Sequence, residues 1–297
     1  MLPCFFLRFS PLPAGGGRER GEGPGVRCLL RYSQPVDPYV GVSGFTADWQ
    51  VSDLLRSVPD RVAGRRIMIG VLVSERTLHG RAEPRGANRL PAVDQIAGIF
   101  ADHPLALNAI HLYAPGEAPL AASLRAVTEL AGPRLHALQL NAAWPPPAAL
   151  RAYREEVSSV GLVLQIGKAA IAAVKGSPES LARRLTDYAG LADAILLDPS
   201  GGRGIPFDTG MAGTFLEAIR AAHPGLGLGV AGGLGPETLD LVAPLAGRFP
   251  GLSIDAEGRL RDAGDRFVPA RAAEYVRRAL AILEPGSGGR SGTSPAC

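Results

Sequence analysis

Between residues 37 and 284, short runs rich in Val, Ile and Leu alternate with Ala- and Leu-rich stretches of helical period. Eight runs read as strands, at 39–43, 66–73, 105–112, 135–140, 161–166, 194–198, 227–231 and 252–256. Helical patterns follow them near 47–57, 91–101, 118–131, 146–158, 178–189, 208–222, 236–247 and 268–283. Near-continuous apolar strands separated by helices are the pattern of a parallel sheet covered on both faces. Eight strand-helix units favour closure into a (β/α)8 barrel over an open sheet. Start signals agree, with Ser177 before Pro178 and Gly235 before Pro236, where proline takes a first-turn position that needs no N–H donor.

Composition narrows the class. A chain of 297 residues holds one barrel of about 250 residues with short tails. Its net charge of +3 and scattered arginines argue against nucleic acid or an acidic membrane as partner. Cys4, Cys28 and Cys297 lie near the ends, which excludes a disulfide framework or a cysteine metal cluster in the barrel. No metal site is expected. No run reaches the roughly 18 apolar residues of a membrane span, so the expected location is cytoplasmic. Residues 1–36, with glycines 15–17, several prolines and no hydrophobic period, are expected to be a disordered or mis-assigned extension; a transit peptide would read the same way. Residues 285–297 are expected to be a disordered tail.

In such a barrel, function sits at the carboxyl ends of the strands. That rule selects Ser43, Ser74, His111, Gln139, Asn141, Lys168, Asp198, Gly232, Gly233, Asp255 and Glu257. Asp198 ends strand six, and a carboxyl partly removed from water can donate a proton near neutrality; a turn-forming Asp before Pro199 is the alternative. Gly232-Gly233 lets backbone approach a ligand, and Gly235-Pro236-Glu237 opens a helix whose N-terminus favours an anion. His111 is a candidate replacement base or a merely hydrogen-bonded ring. Lys168 is either an anion partner or Schiff-base amine, or an exposed stem. The loop 74–90, with Arg76, His79, Arg81, Arg85 and Arg89, reads as an anion-clamping lid or as a solvated loop.

Two glycine-rich segments carry a family resemblance. The run Leu197-Asp198, Gly201-Gly202-Arg203-Gly204, Phe207-Asp208, followed by Ala231-Gly232-Gly233-Leu234-Gly235-Pro236-Glu237, resembles phosphoribosylanthranilate isomerase, a TIM-barrel enzyme of tryptophan biosynthesis. Weaker similarity extends over 39–283. Gln139-Leu140 resembles the family's Gln-Leu-His, with Asn141 at the histidine. Arg89 resembles the substrate-binding arginine, and Ser43-Gly44-Phe45-Thr46 resembles Cys-Gly-Ile-Thr.

The resemblance implies a cofactor-free Amadori rearrangement of a phosphoribosylamine to a 1-amino-1-deoxyribulose. It assigns Asp198 as general acid on the ring oxygen. Position 43 corresponds to the base that removes the C2 proton, and Arg89, Gln139, Gly202, Gly204, Gly232 and Gly233 become substrate or phosphate contacts. Ser43 stands where the family has cysteine, and a hydroxyl is far less acidic than a thiol. Asp255-Ala256-Glu257-Gly258 brings a carboxylate to the strand-eight segment where the family has a phosphate-binding serine, which leaves either Arg259 as compensating cation or Glu257 turned to solvent. Three readings follow: an isomerase of this kind acting on a phosphorylated sugar or sugar-amine; a related barrel using His111 or Lys168 in a different phosphosugar isomerase or lyase reaction; and a catalytically silent barrel that binds a phosphometabolite.

Overall fold

The computed structural model describes residues 36–283 apart from 60, 61, 63, 84, 85, 117 and 201–206. Eight strands form one closed barrel in sequence order: β1 (Tyr39–Ser43), β2 (Arg66–Ser74), β3 (Ala106–Tyr113), β4 (Ala137–Asn141), β5 (Gly161–Gly167), β6 (Ala194–Asp198), β7 (Gly227–Ala231) and β8 (Ser253–Ala256). Every neighbouring pair is parallel, and β8 closes on β1 through Val40 opposite Ile254 and Val42 opposite Ala256. The chain is a single (β/α)8 TIM barrel within its described residues.

Helices cover the outside: α1 (Asp48–Ser57), α2 (Glu75–Leu78), α3 (Ile96–Ile99), α4 (Leu120–Ala131), α5 (Pro147–Glu156), α6 (Lys168–Ala173), α7 (Pro178–Leu185), α8 (Thr209–Ala222), α9 (Ala243–Arg248) and α10 (Pro269–Leu283). Alternate strand residues meet these helices in one continuous apolar core that includes Val40, Val42, Ile67, Ile69, Ile110, Leu112, Ile195, Leu197 and Ile254. The other strand face fills the barrel, with Tyr39, Met68, Leu107, Ala109 and Ala137 on one side and Val163, Ala194, Leu196 and Ala231 on the other. Val36 packs against both inner clusters, so the barrel is a filled core rather than a channel.

Several expectations change, among them the helix expected over 178–189, which is α7 followed by a 3-10 turn at Thr186–Tyr188. The helix expected over 91–101 is a 3-10 turn at Val93–Gln95 followed by α3. The helix expected over 236–247 is a 3-10 turn at Pro236–Leu241 followed by α9. Pro244 explains this break, because inside a continuous helix it would remove an N–H and clash with the preceding turn, whereas it is accommodated in the first turn of a new one. Lys168 does not close strand five; β5 ends at Gly167 and Lys168 begins α6. The expectations for residues 1–35 and 285–297 lie outside the described residues.

Candidate functional site

The inner residues nearest the carboxyl ends of the strands form a polar ring above the apolar filling. Ser43, His111, Gln139, Asp198 and Asp255 are all buried, and Gln165 is half-buried. The registers bring them together: His111 is level with Gln139, and Asp255 with Ala231. Small residues leave the space. A side chain added at Gly70 would meet Ser43 Oγ at 2.6 Å and His111 Nε2 at 2.9 Å, and one added at Gly41 would meet Asp255 Oδ1 at 2.5 Å.

The ring is two hydrogen-bonded runs, Asp198 to His111 and Ser43 to Asp255, in contact between His111 and Ser43. Asp198 accepts from Gln165 Nε2 at 2.8 Å through Oδ2, and from Ser200 N at 3.1 Å and Ser200 Oγ at 2.7 Å through Oδ1. Gln139 Nε2 donates to Gln165 Oε1 at 3.3 Å and to His111 Nδ1 at 3.1 Å. Ser43 Oγ lies 3.4 Å from His111 Nδ1 and donates to Asp255 Oδ1 at 2.7 Å. With the Asp198 carboxylate as terminal acceptor, only one orientation of the two amides pairs donor with acceptor along the first run. Gln165 must turn its NH₂ to Asp198 and its oxygen to Gln139, which must turn its own NH₂ that way. The His111 Nδ1 is thereby an acceptor, and its proton sits on Nε2, 3.4 Å from Met68 Sδ. One acceptor remains over: Gln139 Oε1 is buried without a partner among the described residues.

Electrostatics marks Asp255 and His111. Burial pushes Asp255 up to about 7; the hydrogen bond from Ser43 opposes the rise, and the negative charges of Glu257 and Asp198 add to it. Burial pushes His111 down to about 3. His111 Nδ1 and Asp255 Oδ2 are 4.0 Å apart, which would be an ion pair with a charged ring, but the buried imidazole is neutral and the contact is polar only.

The remaining candidates lie around this ring. Arg89 is engaged by two carboxylates, Glu257 through Nη1 at 2.6 Å and Asp265 through Nε at 2.9 Å and Nη2 at 2.8 Å. Both belong to the segment after β8, pinned by a bridge between Arg261 and Phe267, by Arg261 Nη2 donating to Gly44 O at 2.5 Å, and by Phe267 on Phe45 at 5.0 Å. Glu257 is therefore held by Arg89 rather than left to oppose a phosphate. Gly232 and Gly233 both have positive φ, +102° and +65°. A side chain at Gly232 would also meet Asp198 Oδ1 and Ser200 Oγ at 2.8 Å. Arg259 packs on Gly235, and its Nε is buried with no partner among the described residues. Lys168 and Asn141 are exposed. Gly202, Gly204 and Arg85 lie outside the described residues. No group of three His, Cys, Asp or Glu side chains among the described residues could hold a metal ion. A separate cavity of about 220 Å³, lined by Leu185, Tyr188, Ile195, His223 and Leu226 among others, lies by the start of β6 and β7, at the opposite end from the ring.

Two members of the ring were not foreseen. Gln165 lies one position inside the predicted end of strand five, and the signal available was a lone amide in the buried run Gly161–Gly167. Ser200 follows Pro199 and left no periodic trace.

The fold and site thus define a closed (β/α)8 barrel whose mouth holds two carboxyl groups, two amides, a neutral histidine and a serine. No family model and no curated protein matches the sequence. Solved structures match over most of its length. Phosphoribosyl anthranilate isomerase from Thermococcus kodakaraensis aligns at 16% identity with TM-score 0.53, covering 84% of this chain and 100% of that one. A monomeric form of the dimeric phosphoribosylanthranilate isomerase from Thermotoga maritima aligns at 15% and 0.54, covering 81% and 97%. A thermostable chitinase domain from Pyrococcus furiosus gives 11% and 0.53, covering 88% and 99%. At these identities the likeness is one of fold, shared by proteins of different chemistry.

Proposed function

We propose that this chain is a cofactor-free aldose-ketose isomerase acting on a phosphorylated sugar-amine, in the manner of phosphoribosylanthranilate isomerase. The observation that carries the reading is the pair of carboxyls, Asp198 and Asp255, at the far ends of the two polar runs across the mouth. An isomerisation that protonates one atom and deprotonates another needs two proton-transfer groups held around a common space. The unpartnered Gln139 Oε1 suits a donor such as a sugar hydroxyl or amine. Gly232-Gly233 and the unpartnered Nε of Arg259 beside Gly235 suit the phosphate.

The pairing of Arg89 with Glu257 and Asp265 favours a second reading in one respect. An arginine already shared by two carboxylates is poorly placed to receive a third from an anthranilate ring. A phosphosugar-amine without that carboxylate is then the better substrate.

The test is turnover by the full chain of phosphoribosylanthranilate, followed by loss of that substrate's fluorescence, beside a phosphoribosyl arylamine that lacks the ring carboxylate. Conversion of either is expected, with Asp198→Asn lowering kcat by about 10² or more. Phosphate-ligand binding without conversion of either compound refutes the isomerase and leaves a silent binding barrel.

A further inference from the structure

Resting on the isomerase reading, we propose that the two carboxyls work in the opposite sense to that implied by the family resemblance: Asp255 on β8 donates the proton, and Asp198 on β6 receives it. The argument starts from what each oxygen holds. Both lone-pair positions of Asp198 Oδ1 are taken by Ser200 N and Ser200 Oγ, and Oδ2 receives Gln165 Nε2, so three donors converge on this group. All three are donors, so Asp198 serves as an acceptor here, and one lone pair on Oδ2 is left for a substrate proton. Asp255 takes one side-chain donor, Ser43, and the backbone N–H of Ala256, and its Oδ2 faces the neutral His111 Nδ1 at 4.0 Å with no cation beside it among the described residues.

The groups around Asp255 come from every side. They are Ser43 and Tyr39 on β1, His111 on β3, Asp198 on β6, Glu257 just beyond β8 and Tyr275 on α10. None supplies a positive charge, whereas two are carboxylates, so this is a setting in which a carboxyl keeps its proton toward neutrality. When two carboxyls share a site in such different surroundings, the surroundings assign acid and base.

This direction also accounts for position 43. If the β1–β8 side gives the proton, no thiolate is needed there, and a serine that holds the acid in place is sufficient. The steps balance. The Asp255 proton passes to the ring oxygen as the C1–O bond breaks, its pair going to oxygen while the nitrogen lone pair forms a C1=N iminium. The Asp198 carboxylate then takes the C2 proton; the C–H pair becomes C1=C2, and the iminium π pair returns to nitrogen. The enolamine tautomerises to the ketone, and exchange of one proton with water at each carboxyl restores the start.

The deciding experiment is the pH profile of kcat/KM on whichever sugar-amine the chain converts. A donor that must be protonated gives a fall on the alkaline side with an inflection near 7. Because the Ser43 hydrogen bond lowers the proton affinity of Asp255, Ser43→Ala should move that inflection to higher pH, a shift that a merely structural role would not produce. Asp255→Asn should remove the inflection and lower the rate by 10² to 10⁴. Ser43→Cys should bring no gain in rate. A fall on the acid side instead, an inflection unmoved in Ser43→Ala, or a tenfold gain in Ser43→Cys overturns the assignment while leaving the isomerase in place. If the wild-type chain turns over no sugar-amine, the isomerase reading falls and takes the assignment with it. Should Asp255→Asn fail to fold, the wild-type and Ser43→Ala profiles still decide.

Discussion

Replacing Asp255 by Asn should make the protein more stable at alkaline pH while leaving it nearly unchanged in acid. The side chain is buried, and its carboxyl is raised from an ordinary 3.8 to about 7, chiefly by burial. A group whose proton affinity is higher in the folded state contributes stability that is complete below the unfolded value and is lost as pH rises to the folded one. At about 1.4 kcal/mol for each tenfold difference in affinity, the full loss is about 4 kcal/mol. About 2 kcal/mol of it accumulates between pH 5 and pH 7, and about 3 kcal/mol by pH 8.5. Asparagine keeps the acceptor for Ser43 Oγ and has no charge to bury. Urea unfolding of wild type and Asp255→Asn at pH 5 and pH 8.5 therefore isolates the effect of this charge, since the titrating groups that do not interact with Asp255 cancel between the two proteins. The stability difference should shift in favour of Asn by about 3 kcal/mol at the higher pH. A difference that is the same at both pH values, or that turns against Asn in alkali, would refute the claim that this carboxyl is held neutral.

Other parts of the molecule give separate tests. Arg154, 1% exposed, donates to Leu191 O, Val160 O and Asp193, so Arg154→Ala leaves two carbonyls unpaired and a buried carboxylate without its cation, held by Leu162 N–H alone. Urea unfolding should show a loss of about 3–5 kcal/mol. Gly70→Ala places a methyl 2.6 Å from Ser43 Oγ and 2.9 Å from His111 Nε2, and should cost about 1–3 kcal/mol with a large fall in kcat. Retained kcat in that variant would mean that the ring tolerates displacement. Glu257→Gln removes one of the two carboxylates on Arg89 and should tighten binding of inorganic phosphate or an anionic substrate several-fold in titration calorimetry. Unchanged affinity would place Arg89 outside the binding site.

The alternation of apolar runs and helical stretches was enough to read the barrel, because each strand is buried on both faces and leaves a continuous hydrophobic signature. The runs that became β1, β6 and β7 are bounded as expected. Boundaries drifted where the chain changes structure within an apolar stretch, as between Gly167 and Lys168. Strand ends likewise pointed to Ser43, His111, Gln139, Asp198 and Asp255. What the chain could not disclose was how these residues are joined. Gln165 sits within a strand rather than at its end, and its importance comes from partners 26 and 33 positions away. Arg89 likewise looked available because Asp265, which engages it, lies 176 positions further on.

Position 43 shows why a single motif residue is an insufficient guide to chemistry. Against a family pattern with cysteine, Ser43 reads as a lost base whose restoration should restore function. In the folded barrel its hydroxyl lies 2.7 Å from Asp255, in a space kept open by Gly41 and Gly70. A sulfur there is larger than the oxygen it replaces and sits on a longer bond, so it presses toward the backbone of β2 and the His111 ring. Its chemistry is also wrong for the place, because burial and an adjacent carboxyl both disfavour a thiolate. The serine, the carboxyl beneath it and the two glycines are thus one arrangement. Changing position 43 alone removes the hydroxyl that holds Asp255 and leaves the reasons against an anion at that site in force.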